Sequence, residues 1–100
     1  MADDPRKITE KIFQSQIREL SKILHVDKYY HPFLSKWSEK GYPDITIVKV
    51  PKLIFLELKT EKGKVTEAQQ EWHDLLNQCT SIEAHIVRPA DFNEIVEYLR

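Results

Sequence analysis

The stretch Gly41-Tyr42-Pro43-Asp44-Ile45-Thr46-Ile47-Val48-Lys49-Val50-Pro51-Lys52-Leu53-Ile54-Phe55-Leu56-Glu57-Leu58-Lys59 decides the fold. Residues 45–50 and 53–58 are short runs of β-branched and apolar side chains separated by Pro51-Lys52, which predicts two strands joined by a tight reversal. Gly41 and Pro43 punctuate the chain just before Asp44 and set its entry into the first strand. With Pro51 and Lys52 as the loop, Val50 faces Leu53, and antiparallel pairing sets Asp44 opposite Lys59 and Thr46 opposite Glu57. Opposed residues share a face, as do residues two apart on one strand, so Asp44, Glu57 and Lys59 point the same way. Asp44 and Glu57 are then diagonal neighbours, roughly 7–8 Å apart. Two carboxylates can close that gap around a divalent cation at ligand distances of about 2.0–2.2 Å. The register is the sensitive point. Proline suits neither of the favoured two-residue hairpin turns, and a slip of one residue turns Asp44 to the other face.

On the N-terminal side, Pro5 falls near a first helical turn. Residues 8–24 then repeat with helical period: Phe13, Ile17, Leu20 and Leu24 form one stripe, with Thr9 or a neighbour as the cap. Glu10 lies at the border of that stripe and admits two readings. It is a first-turn acid favoured by the helix dipole with its charge in solvent, or a third carboxylate reaching over the sheet toward Asp44 and Glu57. Residues 25–31 are aromatic and mixed, a strand led in by a turn. Residues 32–40 show no periodicity and form a loop carrying Ser35, Lys36, Trp37 and Lys40. Lysines beside an aromatic suit phosphate and base contacts, and suit an ordinary surface loop equally.

On the C-terminal side, residues 60–65 form a polar turn around Gly63. Thr66 and Gln69 fit a capping box, followed by a stripe of Ala68, Trp72, Leu75, Leu76 and Cys79. Gln69 is accounted for as the cap partner before any role in a site is considered. Cys79 falls on the apolar stripe and is expected in the core. His73 lies beside the stripe, at the surface, and is not expected to bind metal. Residues 82–87 predict a fourth strand, and Asp91 with Glu94 a second capping box ahead of Phe92, Ile95, Val96 and Leu99 on a last helix. The expected fold is α/β, a small mixed β-sheet flanked by helices in the order αβββαβα.

One hundred residues make one domain, 1–100, with residues 1–6 a loose lead-in. An apolar content of 41% with only two glycines predicts a packed globule and excludes a disordered chain. No apolar run approaches the ~20 residues of a membrane helix, and Met1-Ala2-Asp3-Asp4-Pro5 lacks the order of a signal peptide. The expected setting is the cytoplasm. The single Cys79 excludes an internal disulfide. A net charge of −1 does not itself point to nucleic acid, but the distribution is uneven. Residues 1–66 hold 13 Lys or Arg against 9 Asp or Glu, and residues 67–100 hold 2 against 7. The basic portion carries Asp44, Glu57 and Lys59, so a polyanion could approach there. Solvated surface lysines give the same count without a partner.

Two carboxylates bracketing a space, with an ammonium beside them, suit metal-assisted phosphodiester hydrolysis. Mg²⁺ or Mn²⁺ is the expected ion, since hard cations take oxygen ligands. Lys59 would orient the attacking water and stabilise charge in the transition state. The same pattern also arises in surface hairpins bearing salt-bridged acids and lysines.

The order and spacing of further residues add to this reading. Thr9-Glu10-Lys11 with Phe13 and Gln16, His31 and Ser35, Gly41-Tyr42-Pro43-Asp44 and Leu56-Glu57-Leu58-Lys59-Thr60 are followed by Lys62-Gly63-Lys64, Thr66-Glu67-Ala68-Gln69, Trp72 and Val87-Arg88-Pro89-Ala90-Asp91. In this arrangement, over nearly its whole length, the chain resembles the VRR-NUC domains of the PD-(D/E)XK nuclease superfamily. The resemblance implies a restriction-endonuclease-like core and a metal-dependent DNA endonuclease. It implies Asp44, Glu57, Glu10 and the Leu58 carbonyl as metal ligands, Lys59 as the catalytic lysine and Gln69 as the polar residue opening the helix behind the site. Members consisting of this domain alone look like phage or bacterial enzymes that act as homodimers on branched DNA such as four-way junctions. Longer relatives carry the domain within repair nucleases. The chain departs from the Val-Arg-Arg of the family's name, having Ile86-Val87-Arg88 there, away from the expected metal ligands. The alternatives are a non-catalytic DNA-binding or assembly module that keeps the fold, and a hydrolase of another phosphoester.

Overall fold

A computed structural model describes residues 4–32 and 39–100, so Ser35, Lys36 and Trp37 of the expected loop lie outside the described residues. Pro5–Lys7 form a 3-10 turn capped by the Asp4 side chain. Helix α1 spans Glu10–Ile23, and Thr9 caps it: its Oγ1 accepts from Ile12 N at 3.2 Å, satisfying an amide with no partner inside the helix. Phe13, Ile17 and Leu20 are buried, as the stripe requires, while Glu10 is exposed in the first turn. The helix ends where His25 takes a φ of 55°.

Among the described residues, four strands follow the order β1 (Lys28–Tyr30), β2 (Ile45–Lys49), β3 (Lys52–Leu58) and β4 (Ile82–Val87) across one sheet. The first three are antiparallel neighbours, and β4 runs parallel to β3. That last pairing requires a crossover, supplied by α2 (Glu67–Leu76); α3 (Phe92–Leu99) closes the chain. Ile45, Ile47, Ile54, Leu56 and Leu58 share one sheet face and form a single buried cluster with the α1 stripe and with Ile95 and Leu99 of α3. The opposite face carries Phe55 and Glu57 toward α2. The expected small mixed α/β domain is present, and among the described residues no helix is long and apolar enough to cross a membrane.

The hairpin register differs from the expected one. Val50-Pro51, rather than Pro51-Lys52, makes the connection, so Lys49 pairs with Lys52 and Ile45 with Leu56. The cause lies outside the hairpin: Val50 N donates to Asp27 Oδ2 at 2.9 Å, and Pro51 has no N–H, so neither serves the ladder. Pairing moves by two residues and side-chain alternation is preserved. Carried one residue further, the ladder brings Asp44 opposite Glu57 instead of Lys59.

Three other expectations need correction. Cys79 is exposed, because α2 stops at Leu76 and Asn77 caps it. Asn77 also exchanges two hydrogen bonds with the Ala84 backbone, 2.8 and 2.9 Å, which pins the end of α2 to β4. The stripe of α2 is not a core face: Leu75 is exposed and no residue of the helix is fully buried. Asp91 does not cap α3 through its side chain, since its Oδ2 accepts from Arg88 N at 2.8 Å.

Candidate active site

The approach to Asp44 is held against α2. Gly41 has a φ of +83°, and a Cβ there would fall 2.5 Å from the Ala68 carbonyl carbon, so only glycine fits this close crossing. Trp72 Nε1 donates to Lys40 O at 3.1 Å, and the Tyr42 ring meets Trp72 and Phe55 edge-on with centroids 5.0 and 6.2 Å away. Pro43 is buried behind them. Asp44 is thereby delivered to the end of β3, where its Oδ2 accepts from Leu58 N at 2.9 Å.

Glu57 stands on the same sheet face, only 6% exposed. Its Oε2 accepts from Gln69 Nε2 at 2.9 Å and lies 3.9 Å from Lys59 Nζ. Its Oε1 is buried and has no hydrogen-bond partner among the described residues. Burial pushes the Glu57 carboxyl up to about 8, with the adjacent Asp44 acting in the same direction, Lys59 opposing and Glu10 adding a smaller push. The pocket is therefore short of positive charge: one ammonium does not offset a desolvated carboxylate beside a second acid.

Gln69 forms the expected cap and also reaches Glu57. Its Oε1 accepts from Thr66 N, closing the capping box with Thr66 Oγ1, while its Nε2 holds Glu57. The cap thus fixes the amide that orients the acid. Glu10 is nearby without touching the pair: it lines a cleft with Lys11, Gln14, His31, Asp44 and Leu58, and no hydrogen bond joins it to Asp44 or Glu57. Among the described residues no three His, Cys, Asp or Glu side chains gather closely enough to hold a metal ion. His73 bonds within α2 to Gln70, Asp74 and Asn77, away from the acids.

Two supporting residues were not singled out from the sequence for these roles. Arg88 Nη1 donates to the carbonyls of Thr60 (2.6 Å) and Gly63 (2.7 Å), with Glu61 O at 3.3 Å, and Glu61 in turn accepts from Ala90 N. This clamp fixes the turn that follows Lys59; the only signal for it was an arginine directly after a strand. His31 lines both clefts that meet at Asp44. A larger cavity, about 670 Å³, lies elsewhere between α1 and the start of α3 and contains none of Asp44, Glu57 and Glu10. The smaller polar clefts at Asp44, which take in Glu57 and Glu10, define the site.

The donor set fits a hard divalent cation. Asp44 and Glu57 supply two carboxylates, Glu57 Oε1 is without a partner among the described residues, and Mg²⁺ commonly takes one or two carboxylates and completes its shell with water. No protein-family model, curated protein or solved structure matches the chain.

Proposed function

We propose that this chain is a divalent-metal-dependent DNA endonuclease that hydrolyses phosphodiester bonds with Asp44, Glu57 and Lys59. In this reading the fold is the restriction-endonuclease-like core of a VRR-NUC domain in the PD-(D/E)XK superfamily, acting as a homodimer on branched DNA such as four-way junctions. The observation that carries it is the juxtaposition of two acids, one buried with a bare oxygen, beside a partly buried lysine.

Each residue has a defined task. Leu58 N holds Asp44 and Gln69 holds Glu57, so both carboxylates are oriented before anything binds. The Leu58 carbonyl and, across the cleft, Glu10 are the further candidate ligands. Asp44 and Glu57 would hold a Mg²⁺ or Mn²⁺ ion, which when bound would supply a water of lowered pKa and positive charge facing the phosphate. Lys59, 3.9 Å from Glu57, is available to orient the attacking water and to offset charge that develops on the phosphoryl oxygens.

The second reading, a DNA-binding or assembly module without catalysis, draws on the same contacts: Gln69 and Lys59 already engage one oxygen of Glu57 within the protein. A cleavage panel separates the two. Purified protein is expected to cut four-way junction, flap or duplex DNA with Mg²⁺ or Mn²⁺ and not with chelator, and Asp44→Ala is expected to remove the activity while circular dichroism is unchanged. DNA binding that ignores chelator, with no cutting under any metal, supports the module instead.

A further inference from the structure

A second polar cleft opens at the edge of the sheet. It has a volume of about 410 Å³ and is lined by Gln14 and Arg18 of α1 and by Tyr29, Tyr30 and His31. It shares Gln14 and His31 with the cleft that contains Asp44, Glu10 and Leu58, so the two adjoin. Lys11, Gln14 and Arg18 follow the spacing of one helix face and span about 10 Å of axis, roughly three nucleotides of a strand at 3.4 Å each.

Arg18 forms no ion pair among the described residues, and its guanidinium lies over the Tyr29 ring, 5.8 Å from the centroid. The Tyr29 ring backs the guanidinium while its hydroxyl is buried. Tyr30, on the three-residue edge strand, is 60% exposed. A cation held on an aromatic face and an open tyrosine ring beside it together match a phosphate with its base.

We infer that the Gln14–Arg18–Tyr30–His31 cleft is a subsite for an unpaired nucleotide next to the phosphate at Asp44, with Arg18 on its phosphate and Tyr30 stacked on its base. This deepens the nuclease reading and rests on it for the position of the scissile phosphate. Stacking on a side chain requires a base already out of the duplex, so the subsite favours single-stranded or splayed DNA and gives a physical basis for selecting branches.

The test is fluorescence anisotropy of a labelled oligothymidylate and of a matched duplex, with chelator present so that nothing is cut. Wild type is expected to bind the single strand more tightly than the duplex. Tyr30→Ala and Arg18→Ala are each expected to weaken single-strand binding by about 5-fold or more, the lower end of a lost stacking or phosphate contact. Tyr30→Phe should bind as wild type, and Arg18→Ala should reduce the salt slope by about 0.7. Arg100→Ala, a charge removed elsewhere, should have no effect, and thermal unfolding should be unchanged in all variants. Wild-type affinity in both Arg18→Ala and Tyr30→Ala, no single-strand preference, or no binding at all overturns the subsite. Cleavage by wild type alongside that result leaves the nuclease reading intact. Oligonucleotide binding that depends on Arg18 and Tyr30, without cleavage under any metal, keeps the subsite and removes the nuclease.

Discussion

Glu57→Gln should stabilise the metal-free protein, and the gain should depend on pH. The Glu57 carboxyl rises from 4.5 in the unfolded chain to about 8 in the folded one, chiefly through burial and then through Asp44. A raised acid binds its proton more tightly in the folded state, so wild-type stability falls as pH rises from about 4.5 to about 8. At about 1.4 kcal/mol per pKa unit the full displacement is about 5 kcal/mol, and relaxation and water entry around the charged carboxylate reduce the retained cost to roughly 2–3 kcal/mol. Glutamine keeps the shape and still accepts from Gln69, but never carries the charge. The two proteins should therefore melt together near pH 4 with chelator present. Above pH 8 the variant should melt roughly 10–20 °C higher, from the 4–8 °C per kcal/mol typical of a domain this size. The same variant should not cleave DNA. Melting curves whose separation stays constant from pH 4 to pH 9 would refute the reasoning, because all other titrating groups are common to both proteins.

Two further substitutions probe the frame around the acids. Gly41→Ala combines a positive φ with a Cβ 2.5 Å from the Ala68 backbone, and should cost roughly 2–4 kcal/mol in urea unfolding. Arg88→Ala removes the donor shared by Thr60, Glu61 and Gly63 and should cost about 2 kcal/mol. Amide hydrogen exchange should then rise across residues 60–65 more than in α1.

Local patterns in the chain carried much of this molecule. The α1 stripe, the Thr9 cap, the Thr66–Gln69 capping box and the two central strands are short-range features, set by periodicity and by hydrogen bonds three residues apart. The shared face of Asp44 and Glu57 was equally legible, since it depends only on alternation and survives a shift of two. What was not legible depends on distant partners. The hairpin register is settled by Asp27, 23 residues before Val50. Cys79 is exposed because Asn77 turns toward Ala84, and Lys59 is framed by Arg88, 28 residues beyond Thr60. Gln69 shows the limit of assigning one role per residue, because the two ends of its amide serve the cap and the acid at once.

The central claim is that Asp44 and Glu57 hold a divalent cation in place of a proton. Isothermal titration of Mn²⁺ into the protein at pH 7, repeated in two buffers of different ionisation enthalpy, tests it most directly. The expected result is saturable binding with proton release, because Glu57 enters protonated and must ionise to bind the ion, and loss of both signals in Asp44→Asn and Glu57→Gln. No binding at millimolar Mn²⁺, or equal binding by wild type and both variants, would contradict it.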